Sequence, residues 1–268
     1  MKILMNRLLA LLNDESPEST DYHIARSLIV NLDQVPTLSI VDMSALCCVS
    51  KSKLSKFVRN MGFDDYKDFR LEAVQEHKKA VYDIGGNISI ADCMRYRGEK
   101  EYFNVLKNDI DLLYNKLDRS VLKELVSDIY YYKKVAAFGT GHSEAAALYL
   151  QAAIAYMYKV VYTAIGDQKQ EAYIRDADSD TLIIIFSNSG RYIHISQLRE
   201  GEPEKEVFGR TKAKIAVITS NPRMKDDPEV DLCLHFSYSS QIQNHPILFQ
   251  LISEYIVFEF QKEFYPNL

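Results

Sequence analysis

Five short apolar runs, Val135 to Phe138, Val160 to Thr163, Thr181 to Phe186, Ile215 to Thr219 and Leu232 to Phe236, recur along the second half of the chain with helix-length segments between them. No other feature constrains the fold as much. A run such as LIIIF offers no polar face, so a strand built from it must be covered on both sides, and the intervening segments supply the cover. The rhythm predicts βαβ units and a five-stranded, mostly parallel sheet flanked by helices. Ligands of such sheets collect at the carboxyl ends of the strands. Three of those ends are rich in small polar residues: GTGHS after the first run, SNSGR after the third and TSNPR after the fourth.

The first half follows a different pattern. From Met1 to about Lys79 apolar residues recur at three and four spacing, with helices expected over Ile3 to Leu12, Tyr22 to Asn31, Ile40 to Leu46, Lys51 to Met61 and Tyr66 to Lys79. The composition then shifts: YDIGGNISIADCMRYRGEKE, residues 82–101, pairs glycines with weak periodicity and reads as a connection. Helical patterns resume at Tyr102 to Leu117 and Ser120 to Tyr132. The expected division is an all-α bundle over residues 1–80, a linker over 81–101 and an α/β domain over 102–268, closed by a long apolar helix from Gln241 to Phe264.

With 268 residues, 47% of them hydrophobic, the chain can build ordinary packed cores. A formal charge of -5 excludes a wholesale polyanion binder but permits a local basic surface. The four cysteines, Cys47, Cys48, Cys93 and Cys233, form no CxxC pair, so free thiols in a reducing, cytoplasmic setting are expected rather than disulfides or zinc. The opening MKILMNRLLALLNDES is interrupted by Asn6 and Arg7 and reads as an amphipathic helix rather than a signal peptide. No stretch approaches the roughly 20 apolar residues of a membrane span.

LSIVDMSALCCVSKSKLSKFVRNMGF, residues 38–63, packs two short helices around a tight polar turn. Ile40, Met43 and Leu46 face inward from the first; Leu54, Phe57, Val58 and Met61 do so from the second. Ser50 is placed to cap the second helix and Gly62 to end it. Its outward side carries Lys51, Ser52, Lys53, Ser55, Lys56 and Arg59, without an acid between Ser50 and Met61. A short basic helix pinned by its back face fits a major groove, with lysines and serines as phosphate donors, so Ser50 to Arg59 is the candidate DNA-binding face.

In the second half, Gly139, Thr140, Gly141, His142 and Ser143 link a strand to an alanine-rich helix. Glycines let the backbone approach a ligand, and the helix start favours an anion. Ser187, Asn188, Ser189 and Gly190 repeat this chemistry at a second strand end. The GxGxxG spacing of dinucleotide sites and the GK[ST] of nucleotide P-loops are both absent. Hydroxyls and amides without a lysine or metal cluster suit a phosphate monoester, and no cofactor or metal is expected.

FGTGHS and IIIFSNSG, with Asp180 before the strand, resemble the SIS domain, the sugar isomerase fold that binds phosphosugars. SIVDMSALCCVSKSKLSKFVRNMGFDDYKDFR, residues 39–70, resembles the N-terminal helix-turn-helix of the RpiR family of bacterial transcriptional regulators, and the domain order is that family's. The resemblance implies a homo-oligomeric regulator of carbohydrate metabolism, dimeric or tetrameric, that binds operator DNA and a phosphosugar effector. Ser143, Ser187 and Ser189 match its phosphate-facing hydroxyls, and Lys53, Lys56 and Arg59 fall on its recognition helix. Two departures stand out: Arg191, Tyr192 and Ile193 occupy the region of a usual threonine, and Lys53 and Lys56 replace a threonine and an arginine common in the family.

The same fold also serves isomerases, so the alternative is a phosphosugar isomerase. That reaction needs a base near a carbon-bound proton and an acid for ring opening. His142, Glu144, Glu171, His194, His245 and Glu254 are the candidates, and nothing in the sequence pairs two of them. The expectation is a sensor rather than an enzyme.

Overall fold

A computed structural model describes residues 3–81, 88–195, 205–239 and 242–266. The described residues fall into two compact units, the first comprising residues 3–81 and the second the remainder.

The first unit is helical: α1 (Ile3–Asp14), α2 (Thr20–Val30), α3 (Ile40–Leu46), α4 (Lys51–Asn60) and α5 (Tyr66–Val81). Its apolar stripes close on one core that includes Leu4, Leu8, Ile24, Leu28, Met43, Leu54, Phe57 and Phe69. Serine hydroxyls start three of the helices, with Ser19, Ser39 and Ser50 accepting from the backbone N–H of Tyr22, Asp42 and Lys53. The α3–α4 turn reverses through Cys48 at φ 53°, and the Val49 N–H reaches back to the Ser44 carbonyl at 2.9 Å. Gly62, at φ 88°, ends α4 in the same left-handed manner.

The second unit begins with α6 (Ile90–Arg97), α7 (Glu99–Lys116) and α8 (Arg119–Tyr131). It continues through β1 (Lys134–Phe138), α9 (His142–Ala155), β2 (Val161–Tyr162), α10 (Asp167–Asp176), β3 (Thr181–Phe186) and α11 (Arg191–His194). Then come β4 (Lys214–Thr219), a 3₁₀ turn (Pro222–Lys225), β5 (Leu232–His235) and α12 (His245–Phe264). The five strands run parallel in the order β2-β1-β3-β4-β5. Alternate residues of β3 feed the two faces. Leu182, Ile184 and Phe186 pack under α8, α9 and α12, while Ile183 and Ile185 join Ile174, Tyr192, Phe208 and Met224 on the other side. The expected long final helix thus packs on its own sheet through Leu248, Phe249, Ile252, Ile256 and Phe260.

The expected linker needs correction. Residues 82–87 lie outside the described residues, but most of 88–101 is helical. Ser89 caps α6 by accepting from the Asp92 N–H, and Cys93 is buried with Tyr102 and Ile242. Two glycines and a charged tail obscured a one-turn apolar pattern that only a distant partner, Ile242, makes legible. Ile242 is also paired to Ile88 in a parallel bridge.

Candidate functional site

On α4 the apolar back, Leu54, Phe57 and Val58, is buried, while Lys51, Ser52, Lys56 and Arg59 stand exposed. Other members of the expected DNA face have local partners. The Ser50 hydroxyl accepts from the Lys53 N–H at 3.1 Å, and Ser55 accepts from Arg59 Nη2 at 3.0 Å. Lys53 Nζ lies 2.6 Å from Asp21 Oδ1 on α2. That acid sits far from α4 in sequence, and no local signal could have paired the two.

In the α/β unit the chain makes β1 and β2 on one side and then crosses to β3 on the other, so β1 and β3 diverge at a topological switch point. The register pairs Phe138 with Ile185, which brings the two glycine-bearing loops that follow, 139–143 and 187–190, to the same sheet edge. Both loops require their glycines. A Cβ on Gly139 would lie 2.7 Å from the Ser143 carbonyl carbon. Gly190 is left-handed at φ 78°, and a side chain there would run into the Met224 sulfur.

On these loops Ser143 and Ser187 are buried, Thr140 is half-buried, and Gly141, His142 and Ser189 are exposed. Gly141 brings no side-chain cap to α9, which leaves the helix start suited to an anion. Asn188 is a brace rather than an open donor: Nδ2 donates to the Tyr238 hydroxyl at 3.0 Å, and Oδ1 accepts from Ser220 at 2.8 Å. The His142 and His245 rings stand 6.4 Å apart at the starts of α9 and α12. Burial, then the neighbouring His142, pushes the His245 imidazole down to about 4, so it is neutral at neutral pH.

Arg191 and Tyr192 part company. Arg191 is exposed, whereas Tyr192 is 2% exposed in the core beneath the loops. Its hydroxyl donates to Gln170 Oε1 at 2.5 Å, and Lys205 Nζ sits 3.7 Å from its ring centroid. Tyr192 therefore supports the site from behind instead of replacing a hydroxyl in it. Lys205 is itself buried against Asp167 at 2.5 Å, a pairing that the sequence reading missed.

The acid–base candidates have partners of their own. Glu144 accepts from the Gly166 N–H at 2.9 Å, and Glu171 lies 3.7 Å from Lys205. His194 Nε2 is 2.7 Å from Asp227, and Glu254 accepts from the Tyr149 hydroxyl at 2.5 Å. His142 and His245 are the two whose rings meet edge to face.

Comparison with known proteins adds to this geometry. An HTH-type transcriptional regulator from the aarA 3′ region of Providencia stuartii is 21% identical over 266 residues, covering 97% of this chain and 89% of its own. The regulator HexR of Escherichia coli K12 is 23% identical over 196 residues, covering 72% and 67%. The fold of the second unit is shared with a Listeria monocytogenes protein named provisionally as a sugar-phosphate isomerase, with a TM-score of 0.50 at 13% identity over 61% of this chain and 86% of that one. Residues 7–80 match the helix-turn-helix domain of the rpiR family. With α3, the Cys48 turn and α4 arranged as described, residues 7–80 form a helix-turn-helix domain of the rpiR-family kind, followed along the chain by an α/β domain that shares its fold with that Listeria protein.

Proposed function

We propose that this chain is a DNA-binding transcriptional regulator of carbohydrate metabolism, controlled by a phosphosugar held between the loops after β1 and β3. What supports the reading is that a single polypeptide joins an exposed basic helix, α4, to two strand-end loops that share one sheet edge and carry Ser143, Ser187 and Ser189. Lys51, Lys56 and Arg59 supply phosphate contacts to operator DNA, with Ser52 beside them. In the crevice, hydroxyls and the start of α9 meet the effector phosphate, while Thr140 and His142 line the rim on the sugar side.

The regulator reading is favoured over an isomerase because Glu144, Glu171, His194 and Glu254 are each engaged by another group of the chain. Control follows from linkage in a homo-oligomer. An effector that prefers one arrangement of the assembly changes the spacing of its DNA-binding heads by no more than its differential affinity allows. The protein would act on chromosomal DNA in the cytoplasm, and among the described residues no helix is long and apolar enough to cross a membrane.

The experiment is a thermal-shift screen against phosphosugars, followed by Ser187→Ala/Ser189→Ala. A phosphosugar should stabilise the natural chain; the double variant should lose that response while still binding DNA. A double variant that responds normally, or turnover of the bound sugar at enzyme-like rates, would overturn the reading.

A further inference from the structure

Beneath the crevice, one buried amide ties the two loops together. Gln170 on α10 is 0% exposed. Its Nε2 donates to the Gly139 carbonyl at 2.9 Å and to the Ala164 carbonyl at 2.7 Å, while its Oε1 accepts from the Tyr192 hydroxyl at 2.5 Å. These partners fix the orientation of the amide, because two carbonyls demand the nitrogen and a hydroxyl donor demands the oxygen. Tyr192 also reaches Ser187, since its backbone N–H donates to the Ser187 hydroxyl at 3.4 Å. A bonded path thus runs from Ser187 through Tyr192 and Gln170 to Gly139, whose close approach to the Ser143 backbone permits no side chain.

We propose that Gln170 and Tyr192 form a clamp that holds the β1 and β3 loops at one separation, so that both close on an anion as a unit. Neither residue needs to touch the ligand; both are positioning residues. This inference rests on the phosphate-cradle reading above.

A merely space-filling role would not call for this chemistry. Burying an amide and a phenol costs free energy unless every polar atom is paired, and here the pairing joins two functional loops instead of satisfying neighbours on one element. Burial, with the Asp167, Glu171 and Glu144 carboxylates nearby, raises the Tyr192 phenol well above its ordinary range. The hydroxyl stays a donor. Lys205 over the ring and its ion pair with Asp167, at the start of α10, hold the tyrosine and that helix in mutual register.

The test is a double-mutant cycle on the full chain, with inorganic phosphate as the probe and its affinity read by ³¹P NMR titration. Tyr192→Phe keeps the ring under Lys205 and deletes only the bond to Gln170. It should weaken phosphate about fivefold, the equivalent of one hydrogen bond. Gln170→Met should weaken it at least as much, and the double variant should be no worse than Gln170→Met alone. Additive losses, or Tyr192→Phe binding phosphate as the natural chain does, overturn the clamp and leave the cradle standing. If Gln170→Met does not fold, Tyr192→Phe decides alone. A natural chain that binds no phosphate overturns cradle and clamp together.

Discussion

Lys53 Nζ lies 2.6 Å from Asp21 Oδ1, so an acid on α2 neutralises a cation of the recognition helix from within the same domain. The pair is half-exposed, and its contribution to stability is small. Its larger consequence is for DNA. Asp21→Asn should free Lys53 for a phosphate, raising affinity at low salt and steepening the dependence of log K on log salt by about one unit. Fluorescence anisotropy at stepped KCl concentrations measures both, and an unchanged slope would place Lys53 away from the phosphates.

Arg59 and Lys56 stand exposed on the same helix. Substituting either by alanine should weaken binding across sequences and flatten the salt slope by about one unit each, if both meet phosphates. Arg59 also donates to Ser55 at 3.0 Å, which holds its side chain along the helix. Ser55→Ala should therefore produce a weaker form of the Arg59→Ala defect.

The Ser50 hydroxyl caps α4, whose first turn has no acid to share that task. Ser50→Ala should cost about 1 kcal/mol of stability in the N-terminal unit, read by denaturant unfolding. DNA affinity should fall as the start of the recognition helix frays.

Gly139 and Gly141 should respond differently to alanine. At Gly139 the new Cβ meets the Ser143 backbone at 2.7 Å, so either the loop or the start of α9 must move. The expected cost is about 1–3 kcal/mol, together with loss of phosphate binding. At Gly141 the space is open, and what resists is the backbone, at φ 59° and ψ −123°, a conformation that residues with a side chain rarely adopt. Gly141→Ala should therefore cost about 1–3 kcal/mol through backbone strain alone, with no collision to displace the start of α9, and parallel thermal-shift titrations would separate the two effects on phosphate binding.

His245 should make stability depend on pH. Its folded value is depressed to about 4, below the ordinary 6.5, so the unfolded chain takes up the proton first as pH falls. The stabilisation is complete above about 6.5 and is lost progressively on descending to about 4, with a limit of about 3 kcal/mol. Melting temperature measured over that range should fall more steeply for the natural chain than for His245→Gln. Parallel curves would mean that the imidazole is not desolvated.

Much of this architecture was legible without coordinates, because its signals are local. The helix start at Ser50, the left-handed stop at Gly62 and the all-apolar run of β3 each depend on residues within a turn or a strand of one another. Periodicity located α3 and α4 and all five strands to within a residue or two. The two glycine-bearing loops were also recognisable, since the turn chemistry that permits them is written in five or six adjacent residues.

What remained hidden depends on partners far apart in the chain. Residues 90–97 looked like a connection because their apolar content is modest, and only burial of Cys93 against Tyr102 and Ile242 makes them a packed helix. Tyr192 follows the 187–190 loop directly in sequence, yet its ring turns into the core. Asn188 resembles a ligand donor but braces Tyr238 and Ser220. Sequence alone determined the five strands, the helices of the first unit and the two glycine-bearing turns after β1 and β3, because propensity, capping and burial periodicity act over a few residues. Tertiary structure decided which polar side chains face the crevice and which hold it from behind, because a buried donor must find its acceptor in space, whatever their separation along the chain.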